Sequence, residues 1–299
     1  MLQYNRPADN ILAHKEIEVS SFLGTENAHF DPATVESFGD EWDKFDQFTK
    51  EEIKNAGDQY FDIVPASLLT QNTQALDLGC GSGRWTRYLA AKVGSIEAID
   101  PNHAITKVAE LNSDLKNVRF TQAGVGDIPF QDNSFDLIMC LGVLHHVPNT
   151  AEAIKTATSK LKSGGHFLLY LYYALDGRGP LYRALFNCST LFRRVISKMP
   201  GGVKRFTCDL ISVFVYMPFV IIARILKAIG MDIYKKIPLS YYCDKSFNII
   251  RNDALDRFGT PLEQRFRKIE ITKMMEAAGM VDLVFSDNEP FWHVIGTKR

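Results

Sequence analysis

The chain has 299 residues, of which 46% are hydrophobic and 23% charged, and its formal net charge is −1. These values are ordinary for a globular protein with a sizeable core, and the charge gives the whole molecule no field that would steer nucleic acid. The five cysteines form no CxxC pair and show no regular spacing, which argues against a metal site or a disulfide framework and favours a reducing cytoplasm.

Short apolar strands alternate with helices along the middle of the chain. The predicted strands are 75–79, 95–100, 118–122, 135–141 and 166–173, and the predicted helices are 84–93, 103–112 and 151–161. The alternation stops near residue 174 and returns as a helix over 268–278 and strands over 281–286 and 291–297. We therefore predict an α/β fold with a Rossmann-like, seven-stranded, mostly parallel sheet and helices on both faces.

The same pattern divides the chain into four parts. We predict an N-terminal helical cap over 1–60 and a ligand-binding core over 61–174. An inserted helical cap follows over 175–250, and the last part of the core occupies 251–299.

The stretch LDLGCGSGRW, residues 76–85, holds three glycines between a strand and a helix. Glycine lets a ligand approach the backbone closely because no Cβ stands in the way. A dinucleotide-binding turn has the spacing GxGxxG, but here Arg84 stands where its third glycine would be. The turn also has no Walker lysine, so a phosphate-binding P-loop is excluded.

Four motifs in order resemble the class I S-adenosylmethionine-dependent methyltransferases, in particular their broad small-molecule group. They are LDLGCGSGRW, EAIDPN ending the second strand, DIPFQDNSFDLIMCLGVLHHVPN over 127–149 and LKSGGHFLLY over 161–170. The resemblance covers roughly residues 70–174 and returns over about 265–297. It implies a soluble enzyme that uses S-adenosylmethionine as its cofactor.

The resemblance also implies a set of cofactor-binding residues. They are Asp77, Gly79, Cys80, Gly81, Asp100, Pro101, Gly124, Val125, Asp127, Leu141 and Gly142. Asp100 would accept hydrogen bonds from both ribose hydroxyls. Many relatives carry an aspartate that reads the adenine amino group, but this chain has Gly124 there. Adenine recognition would then fall to backbone near Gly124 and Val125, or to Asp127.

Methyl transfer from a sulfonium needs alignment of the reactants and needs a base only if the acceptor loses a proton. His145 and His146 follow the fourth strand and are the candidate catalytic bases; they could equally pack under the next helix. Tyr172, Tyr173 and Arg251 are candidate substrate contacts. For Arg251, an ion pair that fastens the chain is an equal explanation.

Residues 176–236 hold eleven Lys or Arg against three acids, a net charge of +8. We predict a helix over 181–199 and a pair over 203–229 that is kinked or broken at Pro218. The longest apolar run, 210–223, is 14 residues and contains Pro218, so no transmembrane segment is predicted. The segment could be a packed cap, a lid over the acceptor, or a surface for peripheral contact with an anionic membrane.

The predicted function is methyl transfer to a small molecule, either amphipathic (lipid- or isoprenoid-like) or anionic (sugar-phosphate-like). We predict a cytoplasmic protein with no metal and no nucleic-acid partner. Two alternatives stay open. One is a nicotinamide-dependent oxidoreductase, because a glycine turn with Asp100 also suits an adenosine ribose. The other is a non-catalytic, membrane-associated scaffold that binds S-adenosylmethionine.

Overall fold

A computed structural model describes residues 1–23, 30–36, 49–175 and 179–299, with the backbone alone for 180–185 and 187. The chain divides into two compact units. Unit 1 comprises residues 1–177 and 262–299, and unit 2 comprises residues 178–261.

Unit 1 is built on one sheet of nine strands. The strands are β1 (Asn10–His14), β2 (Ile17–Ser21), β3 (Gln74–Leu78), β4 (Ser95–Asp100), β5 (Val118–Gln122), β6 (Phe135–Leu141), β7 (Leu161–Tyr170), β8 (Met280–Phe285) and β9 (His293–Lys298). Their order across the sheet is β1-β2-β5-β4-β3-β6-β7-β9-β8. The strands from β2 to β7 in this order are parallel, whereas β1 and β9 each pair antiparallel with their neighbours.

The helices of unit 1 are α1 (Lys50–Tyr60), α2 (Arg84–Ala90), α3 (Ile105–Leu111), α4 (Thr150–Lys160) and α9 (Lys268–Ala277). Two apolar clusters form its core. One contains Leu76, Ile138 and Phe167 from the strands, and the other contains Ala75, Leu137 and Leu168. Because neighbouring residues of one strand belong to different clusters, both faces of the sheet are covered. The predicted α/β class is confirmed.

The strand count and the N-terminal segment differ from the prediction. The sheet has nine strands because residues 10–21 form a hairpin, although we expected a helical cap over 1–60. β2 joins β5 where Ser21 pairs with Gln122, and the Ser21 hydroxyl donates to the Gln122 side chain at 2.6 Å. Ile17 and Val19 pack against the core, so alternation over IEVSS was the missed signal. Within the predicted cap, α1 is helical, and residues 37–48 lie outside the described part.

β7 begins at Leu161, five residues before the predicted strand, so it includes the glycine pair of LKSGGHFLLY. The register with β6 shifts between Phe135 and Leu137, which marks a bulge. A Cβ on Gly165 would come within 3.0 Å of the Phe135 carbonyl oxygen, so glycine permits this close backbone approach. The glycine pair therefore serves an irregular strand rather than a turn.

Unit 2 consists of helices α5 (Pro180–Ile196), α6 (Gly201–Ile211), α7 (Met217–Ala228) and α8 (Phe247–Gly259) with shorter turns. α6 and α7 are joined by a π-helical segment, Ser212–Tyr216, so the chain is helical from Gly201 to Ala228. We predicted a kink or a break at Pro218; the break is wrong, because the backbone remains helical through Pro218. A widened π turn directly before a proline relieves the clash of its ring with the preceding turn.

Two further expectations about this segment change. Among the described residues one helix, Gly201–Ala228, is long and apolar enough to cross a membrane, because it has 28 residues rather than the 14 of the apolar run. The unit also extends to Pro261 rather than ending at residue 250. The reason is that α8 contributes Ile250, Ala254 and Phe258 to the apolar cluster of this unit.

Candidate active site

The carboxyl ends of the parallel strands meet at one edge of the sheet. From β3 the chain proceeds to β4 and β5 on one side and then to β6 and β7 on the other. The order therefore reverses between β3 and β6, and ligands of open α/β sheets bind in the crevice outside such a reversal. The predicted site residues from 77 to 142 lie in the last residues of β3, β4 and β6 or in the loops that follow β3, β4, β5 and β6.

The glycine turn after β3 is shaped by backbone conformation. Gly79, Gly81 and Gly83 all have positive φ, at 79°, 51° and 77°. The N–H groups of Gly79 and Cys80 both donate to the Ile99 carbonyl, at 2.8 and 3.0 Å, and attach the turn to β4.

Packing adds a second requirement at two of these glycines. A Cβ on Gly79 would lie 2.5 Å from the Val143 side chain, and one on Gly83 would lie 2.9 Å from Asn112. We had explained the glycines by the approach of a ligand. At positions 79 and 83, the conformation and the neighbouring side chains already require glycine.

Asp100, the last residue of β4, links this turn to the next loop. Its Oδ2 accepts a hydrogen bond from the Gly81 N–H, and its Oδ1 accepts one from the Asn102 N–H, both at 2.9 Å. Burial raises the pKa of Asp100, and these two backbone hydrogen bonds oppose the rise. Each carboxylate oxygen has a second lone pair, so the group can still accept hydrogen bonds from a ligand.

Asp77, within β3, is 1% exposed. Burial raises its pKa to about 7, the Thr86 hydroxyl opposes the rise by donating to Oδ2 at 2.5 Å, and the nearby charge of Asp100 adds to it. Two carboxyl groups thus lie close together at the base of the turn. Such a pair favours a ligand that brings positive charge.

Cys80 and Pro101 complete the two loops. The Cys80 side chain is buried, and burial together with the charges of Asp100 and Asp77 raises the pKa of its thiol. The thiol therefore stays protonated and is not a nucleophile. The Pro101 carbonyl accepts a hydrogen bond from the Gln122 side chain at 3.3 Å.

The loop after β6 leaves room beside its glycine. Gly142 has φ 81°, and its N–H donates to the Tyr170 carbonyl at 3.1 Å. The nearest atom to a Cβ at this position would be on the Tyr170 ring, at 3.9 Å. Leu141 before it is buried at the strand end. This glycine, unlike Gly79 and Gly83, is not enclosed by its neighbours.

The loop after β5 contains the predicted adenine-binding segment. Gly124 is extended, and Val125–Asp127 forms a single 3-10 turn in which the Asp127 N–H donates to the Gly124 carbonyl at 3.1 Å. A Cβ on Gly124 would lie 3.2 Å from the Phe30 ring. Phe30, which the sequence reasoning missed, therefore forms a wall of this loop.

The two histidines after β6 are both buried but differ in their contacts. The His145 ring stacks on Tyr172 with centroids 3.8 Å apart, and neither ring nitrogen has a hydrogen-bond partner among the described residues. The His146 Nδ1 donates to the Leu262 carbonyl at 2.7 Å. Burial lowers the pKa of His145 well below its ordinary value, with smaller contributions from the charges of His146 and Arg265. His145 is therefore a neutral imidazole near pH 7.

The segment after unit 2 contributes polar groups that the sequence reasoning missed. The Arg265 guanidinium lies 4.9 Å from the Tyr172 ring centre, and its Nε donates to Glu263 Oε1 at 2.9 Å. Tyr173 forms a bridge with Phe266, and its ring contacts Phe291 and Trp292. The four charged residues in LEQRFRK, directly after Pro261, were the available signal.

A second missed group lies beside Tyr170. The His293 ring is fully buried; its Nδ1 donates to the Pro290 carbonyl and its Nε2 contacts Asp62 Oδ1, both at 2.7 Å. Burial acts to raise the pKa of Asp62, but hydrogen bonds from Asn288, His293 and Ser286 prevail and lower it. His293 lies beside Tyr170 because the two residues are paired in the antiparallel register of β9 and β7.

Arg251, a predicted substrate contact, lies on α8 in unit 2. Its Nε and Nη2 bind the two carboxylate oxygens of Asp209 at 2.8 and 2.7 Å. A bidentate pair of this kind occupies one edge of the guanidinium, where the Nε–H and Nη2–H donors lie in its plane. The ion-pair explanation accounts for Arg251, so we do not include it in the proposed acceptor site.

Comparisons with known proteins identify the domain. Residues 76–169 match the family described as Methyltransferase domain. The chain is 33% identical to the tRNA U34 carboxymethyltransferase of Nautilia profundicola over 112 residues, covering 36% of this chain and 37% of that protein. It is 34% identical to the demethylmenaquinone methyltransferase of Staphylococcus aureus (strain JH9) over 99 residues, covering 32% and 41%.

Among solved structures, phosphoethanolamine N-methyltransferase 1 of Haemonchus contortus, in complex with phosphoethanolamine and S-adenosylhomocysteine, matches at 23% identity. The match covers 49% of this chain and 34% of that one, with a TM-score of 0.39. The family match and the sequence relatives confirm the predicted resemblance to the class I S-adenosylmethionine-dependent methyltransferases, and the match to the methyltransferase domain lies within residues 76–169. It spans well under half of the length of the two curated relatives described above.

The residues of the site fit S-adenosylmethionine. Asp100 offers two carboxylate oxygens at the end of β4, as ribose hydroxyls require. The buried Asp77 suits a cationic amino group near the turn. The open side of Gly142 gives a backbone surface at the reversal point, where the reacting end of the cofactor would lie.

Proposed function

We propose that the protein transfers a methyl group from S-adenosylmethionine to a small-molecule acceptor. The observation that supports this most directly is the hydrogen-bonded link from the glycine turn through Asp100 to the next loop. The link holds a carboxylate rigidly at the crevice, where it would bind the two ribose hydroxyls. When bound, the cofactor supplies an activated methyl group on a sulfonium centre.

The remaining cofactor contacts follow from the same loops. Asp77 and the backbone of residues 79–81 would hold the methionine part, with Pro101 flanking the ribose. Backbone from Gly124 to Asp127, with the Phe30 ring behind it, would hold adenine. Leu141 and Gly142 would line the reacting end. These roles stay predictions that binding experiments must test.

We propose that His145 takes the acceptor proton, because its ring is neutral and neither nitrogen has a partner among the described residues. His146 would hold the loop through its bond to Leu262 rather than react. Tyr172 and Tyr173 would form aromatic walls of the acceptor site. Transfer itself then depends on how well these groups align the acceptor with the methyl group.

Between the two predicted acceptor classes we propose the amphipathic one. Arg265 is the cation beside Tyr172, and its charge is compensated by Glu263 at 2.9 Å. An anionic acceptor would have to compete with Glu263 for the Arg265 guanidinium. A lipid- or isoprenoid-like acceptor needs only the aromatic surface. The similarity to a demethylmenaquinone methyltransferase supports the same class.

Calorimetric titration tests the cofactor assignment. We expect micromolar binding of S-adenosylmethionine and S-adenosylhomocysteine and no binding of NAD. Binding of NAD alone would favour the nicotinamide-dependent oxidoreductase. Transfer of labelled methyl groups to a panel of quinol and isoprenoid acceptors then tests the activity. Cofactor binding without transfer to acceptors of any class would favour the non-catalytic scaffold.

The proposed compartment is the cytoplasm, because all five cysteines are thiols and four of them are buried. We also propose that the partner beyond the small molecule is a membrane rather than a nucleic acid. The surface that supports this partner lies in unit 2.

A further inference from the structure

Unit 2 exposes one face of its longest helix, Gly201–Ala228. Ten of the exposed side chains on this helix are large and apolar: Val203, Phe206, Leu210, Val213, Phe214, Val215, Phe219, Ile221, Ile222 and Ile225. Phe214 is 73% exposed and Phe206 is 64% exposed. A monomeric soluble protein rarely exposes a contiguous apolar surface of this kind unless the surface binds something.

The opposite face of the same helix already has its packing partner. Cys208, Ser212, Tyr216 and Val220 recur every four residues and are buried. They belong with Ile250, Ala254 and Phe258 of α8, which pack beneath them. The exposed side chains are therefore in excess of what the core of unit 2 requires.

A second helix of the unit repeats the arrangement. On α5, Leu191, Phe192 and Val195 are 59–61% exposed. Within the predicted helix over 181–199, Phe192, Val195 and Met199 lie on one helical face; Phe192 and Val195 are exposed, whereas Met199 is partly buried and packs against the apolar cluster of unit 2.

The net charge of unit 2 indicates which kind of binding partner its exposed apolar surface could have. Unit 2 contains fourteen Lys or Arg against five Asp and no Glu, a net charge of +9, which leaves −10 for the rest of the chain. The long helix carries Lys204 and Arg205 at its start and Arg224 and Lys227 at its end. Its centre, 206–223, holds only one charge, Asp209, which is paired with Arg251.

We propose that unit 2 binds the surface of an anionic lipid bilayer, with the exposed face of Gly201–Ala228 lying in the plane of the interface. An apolar helical face enters the acyl boundary while basic residues at its ends meet anionic headgroups. The Asp209–Arg251 pair and the packed inner face oppose a spanning orientation, since that would place both charges and the α8 contacts in hydrocarbon. This inference specifies the membrane surface and the orientation of the helix on it, and it does not depend on the proposed methyl transfer.

The test is co-sedimentation of the full chain with vesicles, with no cofactor or acceptor present. We expect at least tenfold stronger binding to phosphatidylcholine vesicles with about 30 mol% phosphatidylglycerol than to phosphatidylcholine alone, and weaker binding at about 0.5 M NaCl. The double variant Phe214→Glu/Ile225→Glu should lose at least tenfold in affinity. Ile269→Glu, at a 53% exposed position on α9 of unit 1, should bind like the wild type.

Three results with vesicles would overturn the proposal. They are no vesicle binding, binding that the double variant retains, and resistance to extraction by alkaline carbonate, as a spanning helix shows. A dimer that dissociates in the double variant, measured by sedimentation velocity without lipid, would assign the face to a second copy. Circular dichroism of each variant confirms folding. Failure here leaves the cofactor titration unaffected, so the two proposals fail separately.

Discussion

The backbone N–H of Gly81 donates a hydrogen bond to Oδ2 of Asp100 across 2.9 Å, which joins the glycine turn after β3 to the end of β4. The two residues are 19 positions apart in sequence. Because Asn102 binds the other carboxylate oxygen, the orientation of the carboxylate is set by the backbone of two loops before any ligand arrives. Preorganisation of this kind lowers the cost of ordering a polar group on binding.

Asp100→Asn replaces one acceptor oxygen with an amide that cannot accept the hydrogen bond it faces. We expect the Kd for S-adenosylmethionine to rise about 10- to 100-fold, equivalent to about 1.4–2.7 kcal/mol. Calorimetric titration measures the change. The control is Asp282→Asn, an exposed residue at φ 51° where asparagine is equally tolerated. An unchanged Kd in Asp100→Asn would show that ribose binds elsewhere.

Asp77 should make stability fall as pH rises. Its pKa is raised to about 7 when folded, whereas the unfolded carboxyl has a pKa near 3.8. The unfolded chain therefore ionises first, and the favourable contribution present at low pH is lost between about pH 4 and pH 7. In Asp77→Asn the amide oxygen can still accept the Thr86 hydrogen bond, and this loss should be absent.

Urea unfolding of both proteins at several pH values tests this sign. The free energy of unfolding of the wild type, relative to Asp77→Asn, should decrease on the order of 3 kcal/mol between about pH 4 and pH 7. An increase over this range would mean that Asp77 is ionised in the folded protein. In that case the hydrogen bond from Thr86 would lower the pKa of Asp77 by more than burial raises it.

His145 should have the opposite effect from Asp77: it should make the free energy of unfolding fall as pH is lowered. Its pKa is well below 6.5 in the folded protein, so the unfolded chain binds the proton first as pH falls, and stability decreases below about pH 6.5. His145→Phe removes this dependence. It should also leave the protein as stable or more stable at neutral pH, because two buried nitrogens without a partner among the described residues are removed.

Thermal melts at about pH 5 and pH 7.5 measure both effects. His103→Phe, at an exposed position, should keep the dependence of the wild type. If His145 is the base, the stabilised His145→Phe protein should bind S-adenosylmethionine normally but transfer methyl groups about 100-fold more slowly or worse. Full activity of this variant would remove His145 from the mechanism.

Glu97 holds the N-terminal segment on the sheet and should be sensitive to loss of its charge. The side chain is fully buried, and it accepts hydrogen bonds from Arg119 at 2.8 and 2.9 Å and from the Leu2 N–H at 2.9 Å. Glu97→Gln leaves the guanidinium without its counter-charge and should lower the free energy of unfolding by about 3 kcal/mol.

The measurement is equilibrium unfolding in urea at neutral pH. Glu152→Gln, whose side chain is 48% exposed and pairs weakly with Lys155 at 3.9 Å, should change stability by less than about 0.5 kcal/mol. Equal effects of the two substitutions would show that the Glu97–Arg119 pair contributes no more than a surface ion pair.

The sequence by itself determined the parallel core and the positions of the loops at its ligand-binding edge. Strands β4, β5 and β6 fall on their predicted bounds, because each is a short run with apolar residues on its buried face and polar or glycine-containing loops on either side. β6, FDLIMCL, shows the nearly continuous apolar pattern of a strand buried on both faces. For the same reason Asp100, Gly142 and the histidine pair could be assigned to loops at the ends of strands.

Tertiary structure alone decided which groups meet at that edge and which face of an amphipathic helix stays exposed. Arg265 contacts Tyr172 and Asp62 contacts His293 across more than 90 residues of sequence, and no local periodicity encodes such pairs. On α5, Phe192 and Val195 have the spacing of a buried helical face, yet both are exposed. Periodicity shows that apolar side chains share a face, whereas burial depends on what folds against that face.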